Sequence, residues 1–451
     1  MPQHFRSIML DVEKCKGCTN CIKRCPVEAI RVHGGKATIL EERCIDCGEC
    51  IRCCPNHAIT GFTDTIEKLS GYKYKIALPS PAFFGQFQNQ EKIEDILNAF
   101  LRIGFNEVFE VAFAAEIVAY IIHQQFLNND NIKKPLFSAT CPAVLRLMQI
   151  KFPDLLEHVV HVLTPMEVAA RIAKEEAVRN TGIAYDEIGA FFISPCAAHV
   201  AEARNPVASE RSAVDGVIGT NLIYKDIVKN LCHEPPDGVS APFHKATRTG
   251  MTWGYLTGES KSVDFGTTLA VSEIHNVISL LEDVERGKLQ DVDFIELRAC
   301  TAGCVGGPLN IQNIFVGRVR LSEFIKRYGA QPSALSEKEL FAIYKEGSFE
   351  STESIKPRPI MTLDENVSKA IAKMGRLDQL TNELPGLDCG ACGSPSCRAF
   401  AEDIIRGIAV ETDCIIRLKE KIKTINEEAL ERTRCAEPVS RDNPTERDNK
   451  K

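Results

Sequence analysis

"DVDFIELRACTAGCVGGP", Asp291 to Pro308, opens on an apolar run that stops at Cys300 and continues into a second cysteine and a pair of glycines. The same arrangement occurs twice upstream, where "PLFSAT" runs into Cys141 and "GAFFISP" into Cys196. Short runs of this kind, rich in aromatic and β-branched residues, read as strands. Between them "EKIEDILNAFLRIGF" and "AAEIVAYIIHQQFL" carry apolar residues at helical spacing, and "NEVFEV" is extended in character. Alternating strands and helices predict an α/β domain, and such sheets collect ligand-binding groups at the carboxyl ends of their strands. Three cysteines from distant segments are therefore expected at one site.

Outward from this centre the cysteines fall into regular spacings. "CKGCTNCIKRCP", Cys15 to Pro26, returns as "CIDCGECIRCCP", Cys44 to Pro55, each C-x2-C-x2-C-x3-C-P. That is the two-cluster ferredoxin pattern, in which the fourth cysteine of each run crosses to the other 4Fe-4S cube. One cube is expected on Cys15, Cys18, Cys21 and Cys54, the other on Cys44, Cys47, Cys50 and Cys25. "AIRVHGGKATIL" and "AITGF" read as short strands with a Gly-Gly turn, so residues 1–65 are expected as an α+β two-cluster module. Zinc is the alternative, but zinc knuckles pair two C-x2-4-C units rather than running three cysteines into a Cys-Pro. Cys53 has no assigned role.

Toward the other end, "GSFESTESIKPRP" from Gly347 is polar and holds prolines, and residues 347–384 read as a linker. Cys389, Cys392, Cys397 and Cys414 follow with spacing C-x2-C-x4-C-x16-C, which predicts a small, mainly α iron-sulfur domain over 385–431. "RAFAEDIIRGIAVETDC" reads as one helix delivering the fourth ligand, with zinc again the alternative. Ile415, Leu418, Ile422, Ile425 and Ala429 form a 3-4-3-4 stripe. Two heptads leave open whether it packs on its own domain or pairs with another helix, including that of a second copy. The tail 432–451 reads as disordered, so Cys435 is not expected as a ligand.

Nineteen cysteines among 451 residues are more than a reducing compartment would hold as disulfides, so most are expected as metal ligands. A net charge of -7 offers no basic footprint for nucleic acid and no polybasic membrane patch. "MPQHFRSIML" lacks a leader-like apolar core, and no apolar run reaches the roughly 18 residues a bilayer span needs. A cytoplasmic protein is expected.

The central segments "SATCP", "SPCAAHVAE" and "ELRACTAGCVGGP" resemble, in order and separation, the three cluster-binding loops of the FeFe hydrogenases. The resemblance spans roughly residues 72–346. It implies that Cys141, Cys196, Cys300 and Cys304 hold a 4Fe-4S cube, with the Cys304 sulfur bridging to a di-iron unit that carries CO, cyanide and a dithiolate. Together these form the H-cluster. "LPSPAFFGQF" resembles the loop that hydrogen-bonds a cyanide, here through Pro79 and Ser80. Cys300 and Cys304, at i and i+4, would share one helical face.

The departures from that family are equally specific. The family's proton-passing cysteine is replaced by Thr140, whose hydroxyl does not ionise near neutrality as a thiol can. Ile121, Ile122 and Gln125 stand where the family's relay helix has glutamates, so the usual proton exit is expected to be missing. His199 takes the place of a lysine that contacts cyanide, with a charge expected to vary near neutral pH, and Glu202 is kept to orient it. Ser194 and Arg298 replace methionines. Arg298, read either as a surface residue or as a buried cation, would in the second case raise cluster potentials.

These departures resemble the sensory branch of the family. They imply three accessory 4Fe-4S clusters, slow reversible splitting of dihydrogen to protons and electrons, and a ferredoxin-like or signalling redox partner. Hydrogenase maturation proteins are implied as well. A metabolic hydrogenase with another proton path and a di-iron-free iron-sulfur protein are the alternatives.

Overall fold

The computed structural model describes residues 5–128, 132–231, 234–236, 244–360, 363–364 and 366–434. Cys435 and the tail from 435 on lie outside them. The described residues divide into two compact units, with the boundary at 361/362.

The first unit begins with strands β1 (Ile8–Leu10), β2 (Ile30–His33), β3 (Lys36–Ile39) and β4 (Ile59–Gly61). β2 and β3 form a hairpin that pairs His33 with Lys36. Its two-residue turn needs positive φ at both positions, which Gly34 (57°) and Gly35 (74°) supply. β1 and β4 pair antiparallel. The two halves echo each other: the Ala29 N–H donates to Cys25 Sγ at 3.2 Å, and the Ala58 N–H to Cys54 Sγ at 3.3 Å.

The rest of this unit carries β5 (Tyr74–Pro79), β6 (Glu107–Val108), β7 (Leu136–Phe137), β8 (Ile188–Ser194), β9 (Gly216–Gly219), β10 (Thr268–Ser272) and β11 (Phe294–Arg298). They form two parallel sheets, ordered β6-β5-β8-β9 and β10-β11-β7. All seven residues of β8 are buried, as expected where helices cover both faces of a parallel sheet. Helix Val111–Asn128 is likewise apolar around most of its girth and packs on helix Pro165–Thr181. No described helix is long and apolar enough to cross a membrane.

The N-terminal module is built into this body. Ser7 Oγ donates to the Ala197 carbonyl at 2.8 Å, and Arg52 Nη2 to the Gly306 carbonyl at 2.6 Å. Buried Arg146 lies 3.8 Å from Asp46.

The predicted linker 347–384 is two things instead. Residues 347–360 form an extended strap on the first unit. The Leu163 N–H donates to the Phe349 carbonyl, the Glu353 N–H to Ala208, the Arg358 N–H to Gln149, and Arg358 Nη2 to the Cys44 carbonyl at 3.1 Å. Polar composition hid this, because the strap is held mainly through its backbone, which any sequence supplies. Further on, helix Val367–Glu383 belongs to the second unit, where Leu377 and Leu380 pack with Leu384, Phe400 and Ala401. The single helix expected before Cys414 is broken. Helix Cys397–Ile405 ends at Arg406, Gly407 takes φ 74°, and Cys414 sits in the loop before helix Ile415–Arg434.

Candidate functional site

Four strands end at one place. β5 delivers buried Pro79 and then Ser80; β7 leads to Thr140 and Cys141; β8 ends at Ser194 before Cys196; β11 ends at Arg298 before Cys300 and Cys304. Cys300 and Cys304 do not share a helical face: Cys304 opens a short 3-10 turn, Cys304–Gly306, and Cys300 lies outside it. Ala302 (φ 60°) and Gly303 (φ 88°) turn the chain between them, a glycine-dependent geometry that i, i+4 spacing alone does not reveal. Beside these loops opens a largely apolar cavity of roughly 450 Å³, whose polar lining includes Ser80, Thr140, His199, Arg298 and Cys304.

The cavity's chemistry suits a metal cluster. Burial pushes the Cys304 thiol up to about 12 and raises Cys141 and Cys196 as well, each thiol also feeling the others' charge. Thiols held so high stay protonated near neutral pH unless a metal displaces their protons, and iron would do so while neutralising the thiolates. No three His, Cys, Asp or Glu side chains among the described residues are close enough to share a single ion. A cube, by contrast, spreads its thiolates over separate irons. Ser80 Oγ is buried with no hydrogen-bond partner in the protein, and so is the indole nitrogen of Trp253, which also lines the cavity. Buried donors are seldom left unsatisfied, so both call for acceptors on whatever fills the space. Trp253 was not singled out from sequence; a lone tryptophan carries no motif.

His199 differs from its sequence reading. Its Nδ1 lies 3.0 Å from Cys196 Sγ and 3.2 Å from Ser194 Oγ, and its ring meets Phe192 edge-on. Burial, reinforced by the charges of Arg298 and Arg146, pulls it down to about 3, so it is neutral at physiological pH rather than poised to titrate. Glu202 does not orient it. That carboxyl takes Arg146 Nη2 at 3.4 Å and the Val207 N–H at 3.0 Å. Ser194 turns back from the cavity, donating to the Cys196 carbonyl at 2.8 Å and accepting from the Cys196 N–H, which shapes that loop.

Arg298 is buried, and two carboxylates offset its charge. Nη2 donates to Glu259 at 2.9 Å and Nε to Glu296 at 3.2 Å, while Nη1 lies 4.0 Å from Cys304 Sγ. The isolated cation expected to raise cluster potentials is instead one member of a network. Glu259 also accepts from Ser138 Oγ at 2.7 Å and from Thr140 Oγ1 at 3.0 Å. Burial pushes Glu259 up to about 7 against the pull of Arg298. Ile121 and Ile122 are buried, and Gln125 Nε2 donates to the His161 carbonyl. The usual relay positions are thus empty of carboxylates, yet a carboxyl stands directly behind Thr140. It comes from "GESKSV", more than a hundred residues away in sequence, which no local pattern connects to "SATCP".

Two smaller cavities gather eight further cysteines. Cys25, Cys44, Cys47 and Cys50 line one of roughly 340 Å³, and Cys389, Cys392, Cys397 and Cys414 line another of roughly 360 Å³ in the second unit. Of the remaining group, Cys15, Cys18 and Cys21 lie near one another, and Cys53 sits beside Cys21. Arg52 bridges the two halves of the first unit, feeling both Cys47 and Cys300.

Comparison with known families places this architecture. Residues 73–249 and 247–308 match the model of the iron-only hydrogenase large subunit, C-terminal domain. Together these cover more than half of the chain, which belongs to that family. Residues 7–55 match a 4Fe-4S dicluster domain, and residues 384–416 a model described as an Fe-S cluster. The periplasmic [Fe] hydrogenase large subunit of Nitratidesulfovibrio vulgaris is 25% identical over 68% of this chain and 86% of its own length. The NADP-reducing hydrogenase subunit HndD of Solidesulfovibrio fructosivorans is 26% identical over 46% of this chain, which spans only 44% of that relative. The [FeFe]-hydrogenase HydA1 of Chlamydomonas reinhardtii, in a variant form, shares the fold, with a TM-score of 0.52 over 65% of this chain and 98% of its own and 16% identity. The chain is thus an iron-sulfur oxidoreductase of FeFe hydrogenase type.

Proposed function

We propose that this chain reacts slowly and reversibly with dihydrogen and reports it as a hydrogen sensor through the redox state of its clusters. When bound, the H-cluster supplies heterolytic cleavage of dihydrogen. Cys141, Cys196, Cys300 and Cys304 would hold its cube, Cys304 would bridge to the di-iron unit, and Pro79 and Ser80 would face a cyanide. The observation that carries this reading is the cavity itself, with two unsatisfied donors, Ser80 Oγ and Trp253 Nε1, and the Cys304 thiol in its lining. Three accessory cubes, on the cysteine sets given above, would carry electrons to a ferredoxin-like or signalling partner in the cytoplasm. Assembly would require hydrogenase maturation proteins.

The chain's own residues set the proton chemistry. Thr140 Oγ1 faces the cavity and donates to Glu259, so a proton leaving the site passes to the hydroxyl oxygen as the hydroxyl proton moves to the carboxylate. An electron arriving nearby favours protonated Glu259, which leaves Arg298 balanced by Glu296 alone. Electron and proton uptake are thereby linked. A hydroxyl is a poorer relay than a thiol, which keeps turnover low.

Four cubes and a di-iron unit require about 18 irons, against about 16 without the di-iron unit. Infrared spectra of matured protein should show CO and cyanide bands; a fully cube-loaded protein lacking them would eliminate the reading. Trp253→Phe should shift one cyanide or CO band without loss of iron, since it removes the N–H donor together with part of the ring volume; unchanged bands would mean that the indole faces no ligand. Replacing both Cys389 and Cys392 by serine should remove about four irons and leave the H-cluster bands in place. Glu259 favours a second reading, a metabolic hydrogenase with a rerouted proton path. Turnover on the order of 10³ per second would select it.

A further inference from the structure

Helix Ile415–Arg434 is twenty residues long, and from Leu418 to Thr433 every side chain is exposed. A helix of that length standing in water without tertiary packing is marginal at best. Its apolar residues form a stripe nonetheless: Ile415, Leu418, Ile422 and Ile425 are 39–55% exposed, and Ala429 continues the line.

The charges along it are only partly segregated. Residues 415–424 hold Arg417, Lys419, Lys421 and Lys423 against Glu420 alone, while Glu427, Glu428 and Glu431 follow in the second half and Arg432 and Arg434 close the last turn. Cations belong at a helix C-terminus, so Arg432 and Arg434 suit the dipole whereas the four basic residues of the first half do not. Some residues pair along the helix, Lys423 with Glu427 at 3.8 Å and Arg417 with Glu420 at 3.5 Å. Among the described residues Lys421 and Glu428, which flank the stripe, have no ion-pair partner.

We infer that this helix pairs with the same helix of a second copy in antiparallel orientation. Centred between Ile422 and Ile425, the antiparallel arrangement sets Ile422 against the other copy's Ile425, and Leu418 against the small Ala429. Large then meets small in these two layers, and one layer further out Ile415 lies against the stem of the other copy's Arg432. The arrangement also brings Lys421 of each chain beside Glu428 of the other, opposite charges that meet twice across the seam. The parallel arrangement stacks Ala429 on Ala429 and brings Lys421 near Asn426, with no opposite charges across the seam. Sequence spacing left open where this stripe goes; the exposure and the charge order choose.

Sedimentation equilibrium of the full chain with its clusters loaded, at low salt, tests this. The wild type should be dimeric at micromolar concentration, and the double variant Ile422→Lys, Ile425→Lys monomeric with unchanged iron content. Lys421→Glu and Glu428→Lys should each raise the dimer dissociation constant about tenfold or more, because each places like charges together twice. Combining them should restore wild-type affinity. A monomeric wild type, a dimer indifferent to the Ile422/Ile425 double variant, or a charge exchange that fails to restore pairing would each overturn the inference, the last by pointing to a parallel seam.

Discussion

Replacing Glu259 by glutamine should cut dihydrogen turnover by about a hundredfold or more, the scale of losing a positioned acid-base group. The amide oxygen can still accept from Ser138 and Arg298, while its NH2 reverses the Thr140 hydrogen bond and cannot carry the proton. The pH profile gives the sharper signature. Evolution of dihydrogen needs protonated Glu259, so its rate should fall as pH rises through about 7; oxidation needs the carboxylate and should rise through the same range. Glu259→Gln should flatten both limbs. Stability moves too, with its own sign. The folded value is raised above the ordinary carboxyl value near 4.3, so the native state binds the extra proton and stability falls between about 4.3 and about 7, by about 4 kcal/mol in all. Glutamine is neutral throughout, so denaturation midpoints of the variant should lose that slope. Thr140→Cys, which places a better relay on the same carboxyl, should raise turnover in the wild-type background and do little beside Glu259→Gln. A Glu259→Gln protein with wild-type rates and profile would remove this carboxyl from the path.

Arg298→Met should be the most destabilising single change near the site. It leaves Glu259 and Glu296 buried without their cation, and breaking one side of a buried ion network costs about 3–5 kcal/mol. The loss should grow with pH as Glu259 ionises, and Glu259→Gln in the same chain should recover a large part of it. Chemical denaturation of cluster-loaded protein at pH 6 and pH 8 reads both effects. Equal destabilisation in the presence and absence of Glu259→Gln would show that Arg298 contributes packing rather than charge balance.

The parts of the molecule that were legible in sequence share one property: their information is local. Cys15 to Cys54 and Cys389 to Cys414 declare themselves by spacing, and the runs into Cys141, Cys196 and Cys300 by apolarity followed by a break. The Gly34-Gly35 turn is read from two letters. What could not be read is what depends on juxtaposition. Glu259 and Thr140 are distant in sequence and meet only because the 257–263 segment is folded against the end of β7. The neutrality of His199 follows from burial and from two arginines on other elements, and the two carboxylates around Arg298 have no motif. The turn between Cys300 and Cys304 shows a further limit, since a spacing that permits a helix does not require one when a glycine can reverse the chain.

The strap of residues 347–360 determines where this chain can be divided. It is stitched to the loop at Leu163, to the segment that holds Glu202 through Val207, to the helix that follows Cys141, and to the Cys44 carbonyl. A graft that exchanged the C-terminal iron-sulfur unit at residue 347, where composition suggests a seam, would pull a thread from four places around the metal sites at once. Chimeras joined after residue 360 keep that thread intact, and only they leave the first unit whole for transplantation.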